Sequence, residues 1–178
     1  MALTYMDNTK NEKKFILGET DEEFVCVSEE ENQRFALTMI EQTDSHLDIL
    51  SRDFDPDVYD NAECCEAIET LALRSRYSRI RILLHDGRIV SQRGHLVLEL
   101  GKRLGNMIEF RSVPENYKHI PDTFMIADCI GIMHRPHSDT LAATVNFKDR
   151  PKAKELALIF DDIWENAEPE PEARYMVL

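Results

Sequence analysis

Pro121-Asp-Thr-Phe-Met-Ile-Ala-Asp128, continued by Cys129 and Ile130-Gly-Ile-Met-His-Arg135, is the stretch whose reading decides the fold. It reads as an extended run, a turn at Asp128-Cys129 and an extended return. Alternate residues of a strand face opposite sides of the sheet. Phe124 and Ile126 are therefore expected on one face, and Thr123, Met125 and Ala127 on the other. A polar loop follows, containing His137 and Asp139. Leu141 to Asn146 is expected to run extended again, and a helix to start near Asp149, with Pro151 in its first turn where a missing N–H costs little. A site built on this hairpin is expected near Asp128 and along the returning strand to Arg135.

Upstream of the hairpin, β-type and helical periods alternate. Phe24 to Val27 is a short β-rich run. Ser28-Glu-Glu-Glu31 is a capping box, predicting a helix to about Thr43 with Phe35, Ala36, Met39 and Ile40 as its apolar stripe. Ser45 to Ser51 reads as a second strand. Asn61 is expected to cap a second helix, whose core face holds Ile68, Leu71 and Ala72 with Cys64 or Cys65. Arg79 to His85 alternates as a third strand, and His85-Asp-Gly-Arg88 is expected to turn at its end. His95 to Leu104 has a helical period through Leu96, Val97, Leu100 and Leu104, with Gly105 suited to the position just past the helix. Met107 to Arg111 is a fourth strand. Leu156, Phe160, Ile163 and Trp164 mark the buried face of the last helix. This β-α-β-α-β-α-β-β-β-β-α order predicts an α/β sandwich around a mixed, mostly parallel sheet flanked by helices.

The length of 178 residues suits one domain with its own core. Residues 1–20 are polar and aperiodic and read as a flexible arm, with Phe15-Ile-Leu17 docking on the body. Residues 21–167 form the domain, and 168–178 a stiff acidic, Pro-containing tail. No apolar run reaches membrane-spanning length, and the start lacks a signal-peptide pattern. A cytoplasmic location is the expectation.

The net charge is −13, concentrated at the ends: −6 over residues 1–33 and −5 over residues 161–178. A nucleic-acid binder usually carries a net basic domain, so nucleic acid is disfavoured as a partner. A local arginine-lined pocket for one phosphate stays open. Cys26, Cys64, Cys65 and Cys129 lack zinc spacing and are expected to be reduced and buried. No cofactor or metal is expected. His134 and His137 read as surface histidines, and Trp164 as core.

The hairpin also carries a resemblance. The phospholipase-D-like superfamily places catalysis on His-x-Lys-x-x-x-x-Asp, in a hairpin leading to an Asn-bearing strand and a closing helix. Pro121-x-Thr123-x-x-x-x-Asp128 resembles that motif with the Asp in place and the His and Lys replaced. Thr144-Val145-Asn146-Phe147 resembles the Asn element, and Leu156 to Trp164 the closing helix. Residues from about 22 to 167 fit one half of such a fold. Ser51 to Pro56, Arg93-Gly-His95 and the C-terminal Trp-Glu-x-x-Glu-Pro resemble a bacterial branch of the superfamily with no assigned function, some of whose members are linked to acetyltransferases.

The resemblance implies a degenerate, non-catalytic member. Its roles would be binding or regulation, and its quaternary state a homodimer. A partner related to acetyltransferases is a weaker implication. The ligand-binding candidates are Arg52, Asp53, Asp55, Asp86, Arg93, His95, Asp128, Arg135 and Asn146. Arg52 and its neighbours end one strand, Asp86 another, and Arg93 and His95 open a helix. Strand ends leading into polar loops are where open α/β sheets place sites. Asp128 reads first as a turn residue accepting backbone N–H bonds. The alternative is an enzyme with a relocated site, in which His95 does acid–base or nucleophilic work beside Arg52 and Arg93. A salt-bridge and capping network is the equally weighted bland reading of that group.

Overall fold

A computed structural model describes residues 15–171. Strands β1 (Phe24–Cys26), β2 (His46–Ser51), β3 (Arg79–Leu84), β4 (Ile108–Ser112), β5 (Thr123–Ala127), β6 (Gly131–Arg135), β7 (Ala143–Asn146) and β8 (Glu168–Pro169) form one sheet. Their order is β1-β7-β6-β5-β2-β3-β4-β8. Helices α1 (Glu29–Gln42), α2 (Pro56–Tyr59), α3 (Ala62–Arg74), α4 (Gly87–Arg93) and α5 (Leu96–Arg103) pack on one face. Helix α6 (Arg150–Asn166) covers the other. This is the expected α/β sandwich.

The alternation in β5 sets both layers. Met125 and Ala127 join the core beneath α1–α5, while Phe124 and Ile126 join the core beneath α6. The sheet is mixed, but antiparallel pairs outnumber parallel ones. Only β2–β3 and β3–β4 run parallel among the described strands. The expectation of a mostly parallel sheet is corrected for a topological reason. Neighbouring parallel strands need a crossover helix between them. Among consecutive strands that pair, helices intervene only from β2 to β3 and from β3 to β4; α1 and α6 lead instead between strands that are not neighbours in the sheet. Elsewhere a three-residue turn joins β5 to β6, β7 returns beside β6, and β1 pairs with β7 at the edge.

Caps set the helix starts where the sequence placed them. The Ser28 hydroxyl accepts from the Glu31 N–H at 3.2 Å, and the Glu31 carboxylate accepts from the Ser28 N–H at 3.3 Å. Asn61 caps α3 through the Cys64 N–H at 2.8 Å, and Asp149 caps α6 through the Lys152 N–H at 2.9 Å. Cys64 rather than Cys65 takes the core position of α3, and burial pushes the thiols of Cys26 and Cys64 up to about 12. Cys129, expected buried, is exposed at the hairpin turn. Leu96, expected in the stripe of α5, is 48% exposed as its first residue. Gly105 lacks the left-handed φ that a glycine just past a helix often takes.

Two features lay beyond local sequence signals. His85-Asp-Gly-Arg88 does not turn back; Asp86 caps the backbone start of α4, and Gly87 begins that helix. The glycine is needed there for space. A Cβ at Gly87 would meet the Glu170 carboxyl carbon at 2.2 Å. Glu170 itself is 4% exposed, accepts from the Ser112 hydroxyl, and donates its N–H to the Phe110 carbonyl at 2.9 Å. The start of the acidic tail thus adds β8 to the β4 edge and pins α4. At the other end, Phe15 and Leu17 pack on the core, as expected, with Phe15 stacked on Phe147 at 5.6 Å. The rest of the N-terminal arm, residues 1–14, and residues 172–178 of the tail lie outside the described residues.

Candidate functional site

The parallel ladder of β2 and β3 runs past its strand ends. The His85 N–H donates to the Ser51 carbonyl at 3.1 Å, and the Asp86 N–H to the Arg52 carbonyl at 2.9 Å. Arg52 and Asp86 therefore leave the sheet side by side. Two adjoining depressions open at this end. One, of about 400 Å³, is lined by Arg52, His85, Asp86, Lys118, Asp122 and Thr123, with Pro121 and Ser138 at its wall. The other, of about 230 Å³, shares Arg52, Thr123 and Ser138 and adds Asp53, Asp55, Arg93 and Arg135. Six of the nine candidates are brought together: Arg52, Asp53, Asp55, Asp86, Arg93 and Arg135.

The cations here differ in how far they are committed. Arg135 is buried; its Nη1 donates to Asp55 Oδ2 at 2.7 Å and its Nη2 to Asn32 Oδ1 at 3.2 Å. Asn32 passes the network on to the carbonyls of Ser28 and Leu141 at 2.8 and 2.9 Å. Arg135 thus ties α1 and the β6–β7 loop to the β2–α2 loop. Arg93 lies 3.6 Å from Asp53, an ion pair without hydrogen-bond contact. Lys118 pairs with Glu115 at 2.9 Å on the surface. The Arg52 guanidinium has no hydrogen bond or ion pair among the described residues and is exposed. His85 lies beside it: burial, then the positive charges of Lys118 and Arg52, hold its pKa below the ordinary 6.5. Asp86 reaches only Arg88, at 3.9 Å, and its carboxylate accepts no hydrogen bond among the described residues.

Three candidates do not join this group. His95 is 3% exposed and stacks on Phe54 at 4.5 Å. Its Nδ1 accepts from the Val97 N–H at 3.2 Å, which leaves Nε2–H to donate to the Phe54 carbonyl at 3.2 Å. Burial lowers its pKa, against the nearby Asp60 carboxylate. Its two nitrogens cap α5 and hold the β2–α2 loop, and it lines neither depression. The expected convergence of His95 with Arg52 and Arg93 is therefore corrected: the helix start it opens is sealed beneath Phe54.

Asp128 sits at the far end of β5 from Thr123, about 17 Å away by the strand rise. Its carboxylate accepts from the N–H groups of Asp44, Ser45 and His46 at 2.6, 3.0 and 2.9 Å. It also takes φ +51° in the turn. The expectation of a site at that turn is corrected, because its acceptors are consumed by the α1–β2 connection. Asn146 accepts from the Lys148 N–H at 2.8 Å, near the same end.

Reading the sequence missed His85 and Lys118. His85 directly follows β3, a position the strand-end rule could have flagged. Lys118 comes from the β4–β5 connection, and no local pattern marks it. It also missed the commitment of His134, whose Nε2 lies 2.6 Å from Asp122 in a half-buried pair. Among the described residues, no group of three His, Cys, Asp or Glu is placed to hold a metal, and no helix is long and apolar enough to cross a membrane.

Solved structures share this architecture. The phospholipase D family member Nuc from Salmonella typhimurium aligns at TM-score 0.57 and 15% identity, over 84% of this chain and 99% of its own. NucT from Helicobacter pylori aligns at TM-score 0.57 and 10% identity, over 84% and 99%. TrmBL2, an archaeal chromatin protein whose structure shows a novel mode of DNA binding, aligns at TM-score 0.60 and 14% identity. That alignment covers 85% of this chain but 55% of TrmBL2. At these identities the likeness establishes the fold, which is phospholipase-D-like. No curated protein matches the sequence. The family model described as Domain of unknown function (DUF7931) matches residues 28–176, and the chain belongs to that family.

Proposed function

We propose that this chain is a phospholipase-D-like half that binds a phosphate-bearing ligand without the superfamily's hydrolysis. The observation that carries the reading is Arg52, without a partner among the described residues, in a depression with His85 and Lys118. Pro121 and Thr123, at the positions of the motif's His and Lys, line the same wall. Proline offers no nucleophile and threonine no cation, so the covalent route has no starting group. The Arg52 guanidinium, the Lys118 ammonium and the His85 ring remain to hold an anion. Binding raises the proton affinity of His85, because the negative charge of the anion favours the imidazolium and offsets Lys118 and Arg52.

The DNA-binding neighbour does not move this proposal toward nucleic acid. A chain of net charge −13, with Asp53, Asp57, Asp86, Asp122 and Asp139 around the depressions, repels a polyanion. We also propose the homodimer; a monomer mass by light scattering at micromolar concentration contradicts it. An acetyltransferase-related partner is a separate proposal, tested by co-purification of defined candidates.

The functional test pairs two readouts on purified protein. A chromogenic phosphodiester is expected to show no turnover above buffer. Inorganic phosphate is expected to stabilise the wild type against heat and to stabilise Arg52→Ala much less. Turnover at enzymatic rates, or phosphate stabilisation indifferent to Arg52, overturns the reading.

A further inference from the structure

At neighbouring strand ends the depression holds a cation, Arg52, with no partner among the described residues, and a carboxylate, Asp86, that accepts no hydrogen bond among them and has only a long ion pair with Arg88, at 3.9 Å. The main chains of Arg52 and Asp86 are joined by a hydrogen bond, yet their side chains form no ion pair with each other. The cation asks for an anionic oxygen. The carboxylate, as an acceptor only, asks for a donor. Inorganic phosphate answers the first demand and, as a dianion beside Asp86, works against the second.

Two kinds of donor are available to a phosphate ester, an ammonium or a hydroxyl. An ammonium near Asp86 would also sit near Arg52, and near Arg88 at 3.9 Å from that carboxylate. Like charges at such range oppose binding. A hydroxyl gives Asp86 its hydrogen bond without that repulsion. The Thr123 and Ser138 hydroxyls line the same space and can donate to or accept from further hydroxyls. The volume of about 400 Å³ is within the range of small-molecule sites.

We infer that the ligand is a phosphorylated polyol of sugar-phosphate type, its phosphate held by Arg52 with His85 and Lys118 and a hydroxyl donated to Asp86. The inference rests on the phosphate-binding reading above and names the ligand class for that site.

Calorimetric titrations with inorganic phosphate, glucose 6-phosphate and ethanolamine phosphate test it, on wild type and on Asp86→Ala. Asp86 makes no side-chain cap hydrogen bond to α4, so its truncation is not expected to unfold that helix. The wild type is expected to prefer glucose 6-phosphate over inorganic phosphate by about tenfold, the worth of one charge-assisted hydrogen bond. The preference is expected to collapse toward one in Asp86→Ala. Equal affinity for the two in wild type, a preference that survives Asp86→Ala, or a preference for ethanolamine phosphate overturns the ligand class while leaving phosphate binding intact. Failure of all three to bind overturns both readings.

Discussion

The two ends of strand β5 make opposite use of charge. At the hairpin end, Asp128 gives its acceptors to three backbone N–H groups, and the turn is closed. At the other end, Arg52 has no hydrogen bond or ion pair among the described residues, and Asp86 reaches only Arg88, at 3.9 Å, over open space. A strand of five residues thus separates a structural carboxylate from an open surface where Arg52 has no partner among the described residues. The work of Asp128 is local and structural. At the other end, the Pro121 carbonyl accepts from the Ser138 N–H at 3.1 Å and Thr123 pairs with Arg135 in the sheet, while both residues line the depression.

Removing Asp128 should have the largest effect. Asp128→Ala strips three N–H groups of their acceptor and leaves alanine in a left-handed conformation. A loss of about 2–4 kcal/mol in urea unfolding is expected, with Asp128→Asn milder because asparagine tolerates the turn and keeps one oxygen. A loss below about 0.5 kcal/mol would break the contrast. Gly87→Ala comes next, since its Cβ overlaps the Glu170 carboxylate. A cost of about 1–3 kcal/mol is expected, shrinking when Glu170→Ala removes the obstacle. An undiminished cost would mean the tail does not pin α4.

Titration gives a smaller effect. His95 and His85 both have folded-state pKa values below the ordinary 6.5. Between the folded and the unfolded pKa the unfolded chain binds more protons, so stability rises with pH through that window. Stability is therefore expected to fall as pH drops below 6.5, and His95→Asn should flatten the profile over the same window. A wild-type curve level from pH 7 to pH 5 contradicts this. Arg52→Ala sharpens the comparison from the other side. It should shift unfolding by no more than about 0.5 kcal/mol, as befits an exposed, unpaired side chain.

The hairpin was legible because its alternation is local. Phe124 and Ile126 against Met125 and Ala127 divided the two cores as read. Caps at Ser28, Asn61 and Asp149 were legible for the same reason: donor and acceptor lie within four residues. Pairing direction was not, because the place of β1 beside β7 is a long-range choice that no local period records. Gly87 illustrates the limit most clearly. Asp86-Gly87 has the form of a turn, and only the arrival of Glu170, 83 residues later, explains the glycine. At the site, strand ends identified Arg52 and Asp86. The same reasoning misplaced His95, since a residue opening a helix can seal it as well as serve it.

The most direct test of the two-ended account is amide chemical-shift mapping on a ¹⁵N-labelled sample titrated with inorganic phosphate. Shifts concentrated at Arg52, His85, Asp86 and the segment 118–123, with Asp128 and Cys129 unmoved, are expected. Shifts centred on the hairpin turn, or none at saturating phosphate, would contradict it.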